Sequence, residues 1–226
     1  MPTLSDIIRS MPKSKSRYDL IGNPAAYFFA RPISYPITLL FLKARLSANS
    51  ASILSIFFAL AASYSAAVGY SPITITAFVA SWLILDCVDG NIARYSKTGS
   101  RQGEFLDAIG GYIVSAGIYL GIGYGSSDYN TLLLGAISSI FSILSRLILN
   151  KYNVLSGSTR NSSGDTGSGW KAAWLLSIYN LSGIGLPIMF LSLYIGMEKK
   201  YLIIQSTLGL LITLGVIAKS YRNLRA

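Results

Sequence analysis

Long apolar stretches separated by polar connections dominate the chain. A membrane-spanning helix needs about 20 mainly apolar residues. Six segments meet this requirement, at approximately 50–69, 72–94, 103–124, 131–149, 172–196 and 200–218. Because most connections between them are short, neighbouring helices are expected to pack antiparallel. The pattern therefore predicts an all-α membrane protein with six transmembrane helices in a bundle.

Residues 1–49 follow a different pattern and are predicted to form an N-terminal interfacial segment. Its first apolar side chains recur at helical spacing: Leu4, Ile7, Ile8 and Met11. This spacing predicts an amphipathic helix on the membrane surface. A second apolar run, 34–46, is shorter than the usual minimum of about 17 residues for a span. It reads as an interfacial or re-entrant helix, with a tilted span as the alternative. The start lacks the apolar core and cleavage site of a signal peptide.

The remaining residues, 50–226, are predicted to form one six-helix transmembrane domain. Residues 150–170 interrupt it with a stretch rich in Ser and Gly. Such a composition cannot bury a core, so it predicts a flexible loop.

The basic residues lie almost entirely on one set of connections. The opposite connections carry only Lys199 and Lys200, next to Glu198. The positive-inside rule then places both termini, and the segment 86–111, on the cytoplasmic side of a cell membrane. The net charge of +10 is scattered between apolar runs rather than gathered in one patch, so no nucleic-acid partner is expected.

Composition restricts the possible chemistry. Hydrophobic residues make up 52% of the 226 positions and charged residues 12%, which is too apolar for an ordinary soluble domain. Histidine is absent and the single cysteine is Cys87, so neither an imidazole base nor a thiolate metal cluster is available. Acid–base or metal chemistry must come from carboxylates, lysines, tyrosines or the substrate.

Three carboxylates lie at the ends of apolar segments, where a charged group usually marks a functional site. Asp86 and Asp89 share a helix face because they are three residues apart. Asp107 opens the next span, and the short turn between the spans would bring all three together. Oxygen ligands of this kind favour Mg²⁺, Mn²⁺ or Ca²⁺. The alternative is that these acids only cap helix ends and pair with nearby basic residues.

Small residues and an arginine accompany the acids. Gly90 and Gly103 remove side chains where a substrate or another helix must approach closely, and Ala93 is small on the Asp89 face. Arg94 could supply positive charge to a phosphate.

This segment resembles the signature of the class I CDP-alcohol phosphotransferases, D-x2-D-G-x2-A-R-x8-G-x3-D-x3-D. Seven positions match in register: Asp86, Asp89, Gly90, Ala93, Arg94, Gly103 and Asp107. The segment Leu46–Ser50 is similar to the family's Pro-Asn-x-x-Thr region, with Ala48 in place of the proline.

The resemblance implies that a CDP-linked donor, such as CDP-diacylglycerol, transfers its substituted phosphoryl group to an acceptor and releases CMP. It implies that Asp86, Asp89 and Asp107 bind Mg²⁺ or Mn²⁺ against the donor pyrophosphate. The donor site would comprise these acids together with Gly90, Ala93, Arg94 and Gly103. A homodimer embedded among membrane lipids and active in phospholipid synthesis is also implied.

The last signature position departs from the family, since it is Gly111 rather than the aspartate expected to act as a base. Glu104 is a weak candidate for a substitute base, because it occupies a position at which the family signature varies. Tyr112 is weaker, because a phenol with a pKa near 10 is a poor base at neutral pH.

Three interpretations of Gly111 stay open. The acceptor could be a phosphate or carboxylate that needs no base, an alcohol acceptor could use a base from elsewhere, or the chain could be an inactive relative or carry a glycine introduced to trap it. A rival from another class is a non-catalytic membrane protein that binds the donor or partner proteins through the same fold. Arg146 and Lys151 are candidate ligands for an acceptor phosphate. Snorkelling of Arg146 to the membrane surface is the alternative.

Overall fold

The computed structural model describes residues 2–156 and 170–225, and all regular elements among them are helical. The N-terminal segment contains α1 (Leu4–Arg9), α2 (Lys13–Gly22) and a π-helical turn (Ala26–Ala30) that runs into α3 (Arg31–Lys43). The other helices are α4 (Ala48–Ala67), α5 (Pro72–Ser96), α6 (Arg101–Gly125), α7 (Tyr129–Leu155), α8 (Trp170–Tyr179), α9 (Gly185–Tyr194) and α10 (Glu198–Arg225). The predicted all-α class is confirmed.

Five of these helices are long and apolar enough to cross a membrane: α4, α5, α6, α7 and α10. Three of them begin directly after a serine whose side chain caps the helix. Ser47, Ser71 and Ser100 each accept a hydrogen bond from a backbone N–H three residues further on, which satisfies one of the unpaired donors of a helix start. These five helices identify a multi-pass membrane protein.

The prediction of one continuous span over 172–196 is wrong, because this segment forms two short helices, α8 and α9, joined by a turn. Pro187 lies in the first turn of α9, where its missing N–H and its ring prevent the helix from continuing backwards. A Cβ atom on Gly183 would overlap the carbonyl oxygen of Ser177. Hydropathy measures only how apolar this segment is, so it does not reveal the turn that separates α8 from α9.

The helix directions follow from contacts at both ends of α7 and α10. Lys199 Nζ lies 2.9 Å from Asp128 Oδ2 at their starts, and Asn223 Nδ2 donates to Tyr152 Oη over 3.3 Å near their ends. The two helices therefore run parallel. The chain must return along the bundle after α7 and before α10, and α8 and α9 belong to this part of the sequence.

A close helix seam holds α4 and α6 in parallel. A Cβ atom on Gly121 would lie 2.5 Å from the carbonyl oxygen of Ser63, so the two backbones meet through small residues, as in many membrane helix pairs. One end of this seam brings Gly103 against Asn49, and the other brings Gly125 against Ala66. The end with Gly103, where α5 also ends, is called the motif end below.

The N-terminal helices dock onto the bundle. In α1, Ile7 is fully buried while Leu4 and Ile8 are exposed, and the amphipathic helix on the membrane surface stays a prediction. The predicted helix at 34–46 is α3, which begins earlier and contains Pro36. Asn91 Nδ2 of α5 donates to Ser34 Oγ over 2.9 Å and to Thr38 Oγ1 over 3.2 Å, which attaches α3 to the bundle.

The structure describes only part of the predicted flexible loop at 150–170. Its first residues belong to α7, which continues to Leu155 rather than ending near 149. Residues 157–169 lie outside the described part of the chain.

Candidate active site

The three signature carboxylates lie together at the motif end. Asp86 and Asp89 belong to α5 and Asp107 to α6, and the side chain of Asp107 is within hydrogen-bonding reach of Asp86. Ser52 Oγ of α4 donates to Asp89 Oδ2 over 2.7 Å, which fixes the orientation of that carboxylate. All three side chains line one cavity.

Two cavities meet at these carboxylates. The first, the signature cavity, has a volume of about 480 Å³ and is lined by residues between 48 and 52 and between 89 and 107. The second, the arginine cavity, has a volume of about 490 Å³ and is lined by side chains from α2 to α10, among them Arg146. Asp89 and Asp107 line both cavities. A molecule in either cavity would therefore contact the same two acids.

The signature cavity contains most of the residues proposed for a CDP-linked donor. Gly90, Ala93 and Gly103 line it, and so does Asn49 from the segment before the first long helix. A Cβ atom on Gly103 would lie 3.2 Å from Asn49 Oδ1, so glycine keeps this wall open. Small residues here leave room for a ligand beside the acids.

Arg94 lies on the other side of Gly90 and lines the arginine cavity. Its Nη2 donates to Asn91 Oδ1 over 2.7 Å. A Cβ atom on Gly90 would lie 3.0 Å from Arg94 Nη1, so this glycine leaves space for the guanidinium. Since α3 holds Asn91 in turn, the position of Arg94 depends on the N-terminal segment.

Gly111 opens into the arginine cavity, opposite an arginine. A Cβ atom built on Gly111 would lie 3.1 Å from Nη1 of Arg146 on α7, and both residues line the cavity. Tyr112 lines it too and accepts a hydrogen bond from the Asn150 side chain. Where the resemblance places a carboxylate, this chain places a guanidinium.

Two of the weaker candidates are positioned away from this wall. Glu104 lines the signature cavity, not the arginine cavity that contains Gly111, so it is poorly placed to replace a base at that position. Lys151 is exposed and lines neither cavity.

Sequence reasoning missed a buried ion pair that supports the arginine cavity. Arg31 Nε donates to Asp19 Oδ2 over 2.6 Å, and both side chains are buried. Lys15 Nζ lies 3.3 Å from Asp19 Oδ1. The available signal was the scarcity of acids, with only nine Asp and Glu in the chain, since a lone acid in an apolar segment implies a partner.

The same network reaches the turn between α8 and α9. Asn23 Nδ2 donates to Asp19 Oδ1 over 3.1 Å, and Ser182 Oγ donates to Asn23 Oδ1 over 2.7 Å. The Ala26 N–H donates to the carbonyl of Ser182 over 2.9 Å. These bonds satisfy polar groups where the helix is interrupted.

The chemistry of the three acids suits a divalent cation, but their placement does not yet form a metal site. Their ligand atoms are all oxygens, which suits Mg²⁺ or Mn²⁺, and two of the carboxylates are within hydrogen-bonding reach of each other. As placed, however, no group of three His, Cys, Asp or Glu among the described residues could hold a metal ion. The residue types fit the cation while the ligand shell is not assembled, so metal binding stays a prediction.

Comparison with known proteins identifies a family. A sequence model of the family described as CDP-alcohol phosphatidyltransferase matches residues 45–214. The match covers all the signature residues. It also covers the helices α4 to α9, with the residues of these helices that line the two cavities, and most of α10. No curated protein matches the chain.

Proposed function

The chain belongs to the CDP-alcohol phosphatidyltransferase family, and from this premise we propose that it transfers a substituted phosphoryl group from a CDP-linked lipid, such as CDP-diacylglycerol, to an acceptor with release of CMP. The family implies phosphatidyl transfer in lipid synthesis. The residues of the two cavities support this more specific assignment.

The observation that carries the proposal is the position of Asp89 and Asp107, which line both cavities. A transfer reaction needs a donor and an acceptor on opposite sides of the group that moves, with the reacting atoms about 3–3.5 Å apart. A donor in the signature cavity and an acceptor in the arginine cavity would meet at these acids.

The donor is assigned to the signature cavity because that cavity combines open space with the signature residues. Gly90, Ala93 and Gly103 would let the cytidine and pyrophosphate approach the backbone. Arg94, held by Asn91, would supply a fixed positive charge to the pyrophosphate from the side of Gly90. Asn49 lines the same cavity.

Asp86, Asp89 and Asp107 would hold Mg²⁺ or Mn²⁺ between the two cavities. When bound, a divalent cation neutralises charge on the phosphoryl group and on the leaving CMP. The protein contributes the orientation of the ligands: Ser52 fixes Asp89 through the hydrogen bond to its Oδ2. The proximity of Asp86 and Asp107 supports a shared cation, because two ionised carboxylates at this range repel each other.

The acceptor is assigned to the arginine cavity, with Arg146 as its main ligand. This side chain lines the cavity beside Gly111, so it can contact a molecule there directly. Lys151 would act only at the entrance, because it is exposed.

The cellular setting is proposed on the same basis. The basic residues around the motif end favour a cytoplasmic location for this end and for both termini by the positive-inside rule. The family resemblance supports a homodimer in the cell membrane, surrounded by lipids.

The direct test is CMP release by purified protein in lipid vesicles that contain CDP-diacylglycerol and Mg²⁺. We expect release that depends on both an acceptor and the cation. Protein treated with EDTA is the control, and adding excess Mg²⁺ should restore the release.

A second candidate function is favoured by one observation, the absence of a carboxylate at Gly111. A non-catalytic family member would bind CDP-diacylglycerol or partner proteins and release no CMP with any alcohol or phosphate acceptor. Donor binding without turnover across both acceptor classes would establish this alternative and exclude the transferase.

A further inference from the structure

The wall of the arginine cavity around Gly111 offers positive charge but no base. The residues that line this wall are Ala108, Gly111, Tyr112, Arg146, Leu149 and Asn150. None of them is a carboxylate, and the chain contains no histidine. The carboxylates of the cavity are Asp86, Asp89 and Asp107, which the proposed function already uses around the cation. Among the described residues, a hydroxyl nucleophile placed against Arg146 would find no carboxylate other than the three acids of the cation site to take its proton.

Arg146 is available for an anionic ligand. It forms no ion pair with another residue of the described part of the chain, although it lies partly buried in the cavity wall. A guanidinium presents several N–H donors in one plane and matches the terminal oxygens of a phosphate. Lys15 and Tyr18 line the same cavity.

A second observation points to the same ligand chemistry. Among the described residues, two buried donor groups lack a hydrogen-bond partner and belong to side chains that line the arginine cavity without a role toward the donor: Arg31 Nη1 and Trp82 Nε1. Arg31 is 7% exposed and Trp82 is 5% exposed, so bulk water reaches neither freely. Buried donors are normally paired, and a ligand with several acceptor oxygens would pair them.

From these two observations, and resting on the proposed function, we propose that the acceptor is a phosphate monoester whose own phosphate oxygen is the nucleophile. A phosphate monoester has three terminal oxygens and close to two negative charges at neutral pH, which matches donors on several walls better than a carboxylate with two oxygens. Its oxygen is ionised before the reaction, so Gly111 needs no replacement by a base.

The reaction balances without a proton transfer. An oxygen of the acceptor phosphate forms a bond to the donor phosphorus that carries the lipid alcohol. The bond from this phosphorus to the bridging oxygen of CMP breaks, and CMP leaves with the electron pair. The products are a diphosphate diester and CMP. The total charge is the same on both sides when the acceptor enters as its dianion.

The test compares acceptors that differ only in the attacking group. Purified protein in vesicles with CDP-diacylglycerol and Mg²⁺ receives hexadecyl phosphate, hexadecanol or hexadecanoic acid. We expect CMP release with hexadecyl phosphate to exceed that with hexadecanol by about 100-fold or more, since a missing base typically costs a hydroxyl acceptor 10²–10⁴-fold. Mass spectrometry should identify the diphosphate diester.

Glycerol 3-phosphate separates the two possible roles of a phosphate. It carries both a phosphate and free hydroxyls, so a phosphodiester product would show that the phosphate only anchors the acceptor. That product, or equal rates with hexadecanol and hexadecyl phosphate, would overturn the inference while leaving the transferase assignment intact. Donor binding without CMP release for any of these acceptors would overturn both.

Substitutions at Arg146 and Gly111 extend the test to individual residues. Arg146→Gln should raise the KM for hexadecyl phosphate about 10- to 100-fold, the usual range for a lost charged hydrogen bond, with donor binding unchanged, and Arg146→Lys should recover part of the loss. The matched control is Arg222→Gln, because Arg222 is an exposed arginine in the last turns of α10 and lines neither cavity. Gly111→Asp should reduce use of the phosphate acceptor and increase use of hexadecanol; the opposite change would contradict the inference.

Discussion

The signature cavity and the arginine cavity share two acids but are built in different ways. The signature cavity is lined by two short stretches of chain, 48–52 and 89–107, with mostly small side chains. The arginine cavity takes side chains from seven helices, α2, α3, α5, α6, α7, α8 and α10, and from the turn after α8. A site made of open space and local backbone can be recognised by spacing, whereas a site made of long side chains is visible only once the helices are assembled.

The difference also separates the two halves of the proposed reaction. Donor binding would depend on glycine and alanine positions in α5 and α6, which agree with the family signature. Acceptor binding would depend on Arg146 and the network around Asp19 and Arg31, which no part of the signature encodes. Substitutions in one cavity should therefore change one substrate and spare the other, except at the shared acids.

Removing a shared acid should have the largest effect. Asp107→Asn removes a carboxylate that lines both cavities, and should lower transfer on the order of 10³-fold, because charge stabilisation by a bound cation supplies several kcal/mol. The measurements are CMP release and Mg²⁺-dependent donor binding in vesicles. Asp128→Asn, at the opposite end of the bundle, is the control and should retain activity. Unchanged Mg²⁺-dependent donor binding by Asp107→Asn would exclude the metal assignment.

A matched pair of glycine substitutions tests whether the cavities are independent. A Cβ atom would meet Asn49 Oδ1 at 3.2 Å in Gly103→Ala and Arg146 Nη1 at 3.1 Å in Gly111→Ala. Each neighbour must shift, and we expect about a tenfold loss of affinity, near 1.4 kcal/mol. Gly103→Ala should weaken donor binding, while Gly111→Ala should raise the acceptor KM. If both variants affect the same substrate, the assignment of one substrate to each cavity is wrong.

Loosening the turn between α8 and α9 should have a smaller effect, confined to the arginine cavity. Ser182→Ala removes the hydrogen bond to Asn23 Oδ1, and should lower the free energy of unfolding by about 1 kcal/mol. The acceptor KM should rise and donor affinity should stay the same. Ser81→Ala, which removes only an exposed hydroxyl bonded within its own helix, is the control. Stability in detergent and both substrate affinities can be measured on the same samples.

The smallest expected effect lies far from both cavities. The Thr131 hydroxyl and Lys199 hold the pKa of the exposed Asp128 at about 2, below the ordinary 3.8. Because the folded pKa is lowered, this stabilisation is complete above 3.8 and disappears as the pH falls towards 2. The melting temperature of Asp128→Asn should therefore fall less steeply than that of the unaltered protein over this range. An equal slope for the two proteins would contradict the assigned hydrogen bonds.

The sequence by itself determined the helical class and the signature residues. It also determined four spans close to their observed bounds, and part of the last span. Hydropathy over about 20 residues is a local property. A serine cap acts within one helical turn, and the signature is a fixed spacing within the single segment from Asp86 to Asp107. The same local information failed at 172–196, because the close approach of Gly183 to Ser177 and the restart at Pro187 divide an apolar segment that hydropathy reads as uniform.

Only the tertiary structure decided what surrounds Gly111. The sequence showed that a carboxylate is missing there, but Arg146 lies 35 positions further along the chain, on another helix. The parallel seam of α4 and α6 and the packing of α7 bring this arginine to within 3.1 Å of the place a Cβ atom would occupy. Asp19, Arg31 and Ser182 meet for the same reason: burial in a low-dielectric interior makes unpaired polar groups costly, and the partner that satisfies each one is chosen by how the helices pack rather than by spacing along the chain.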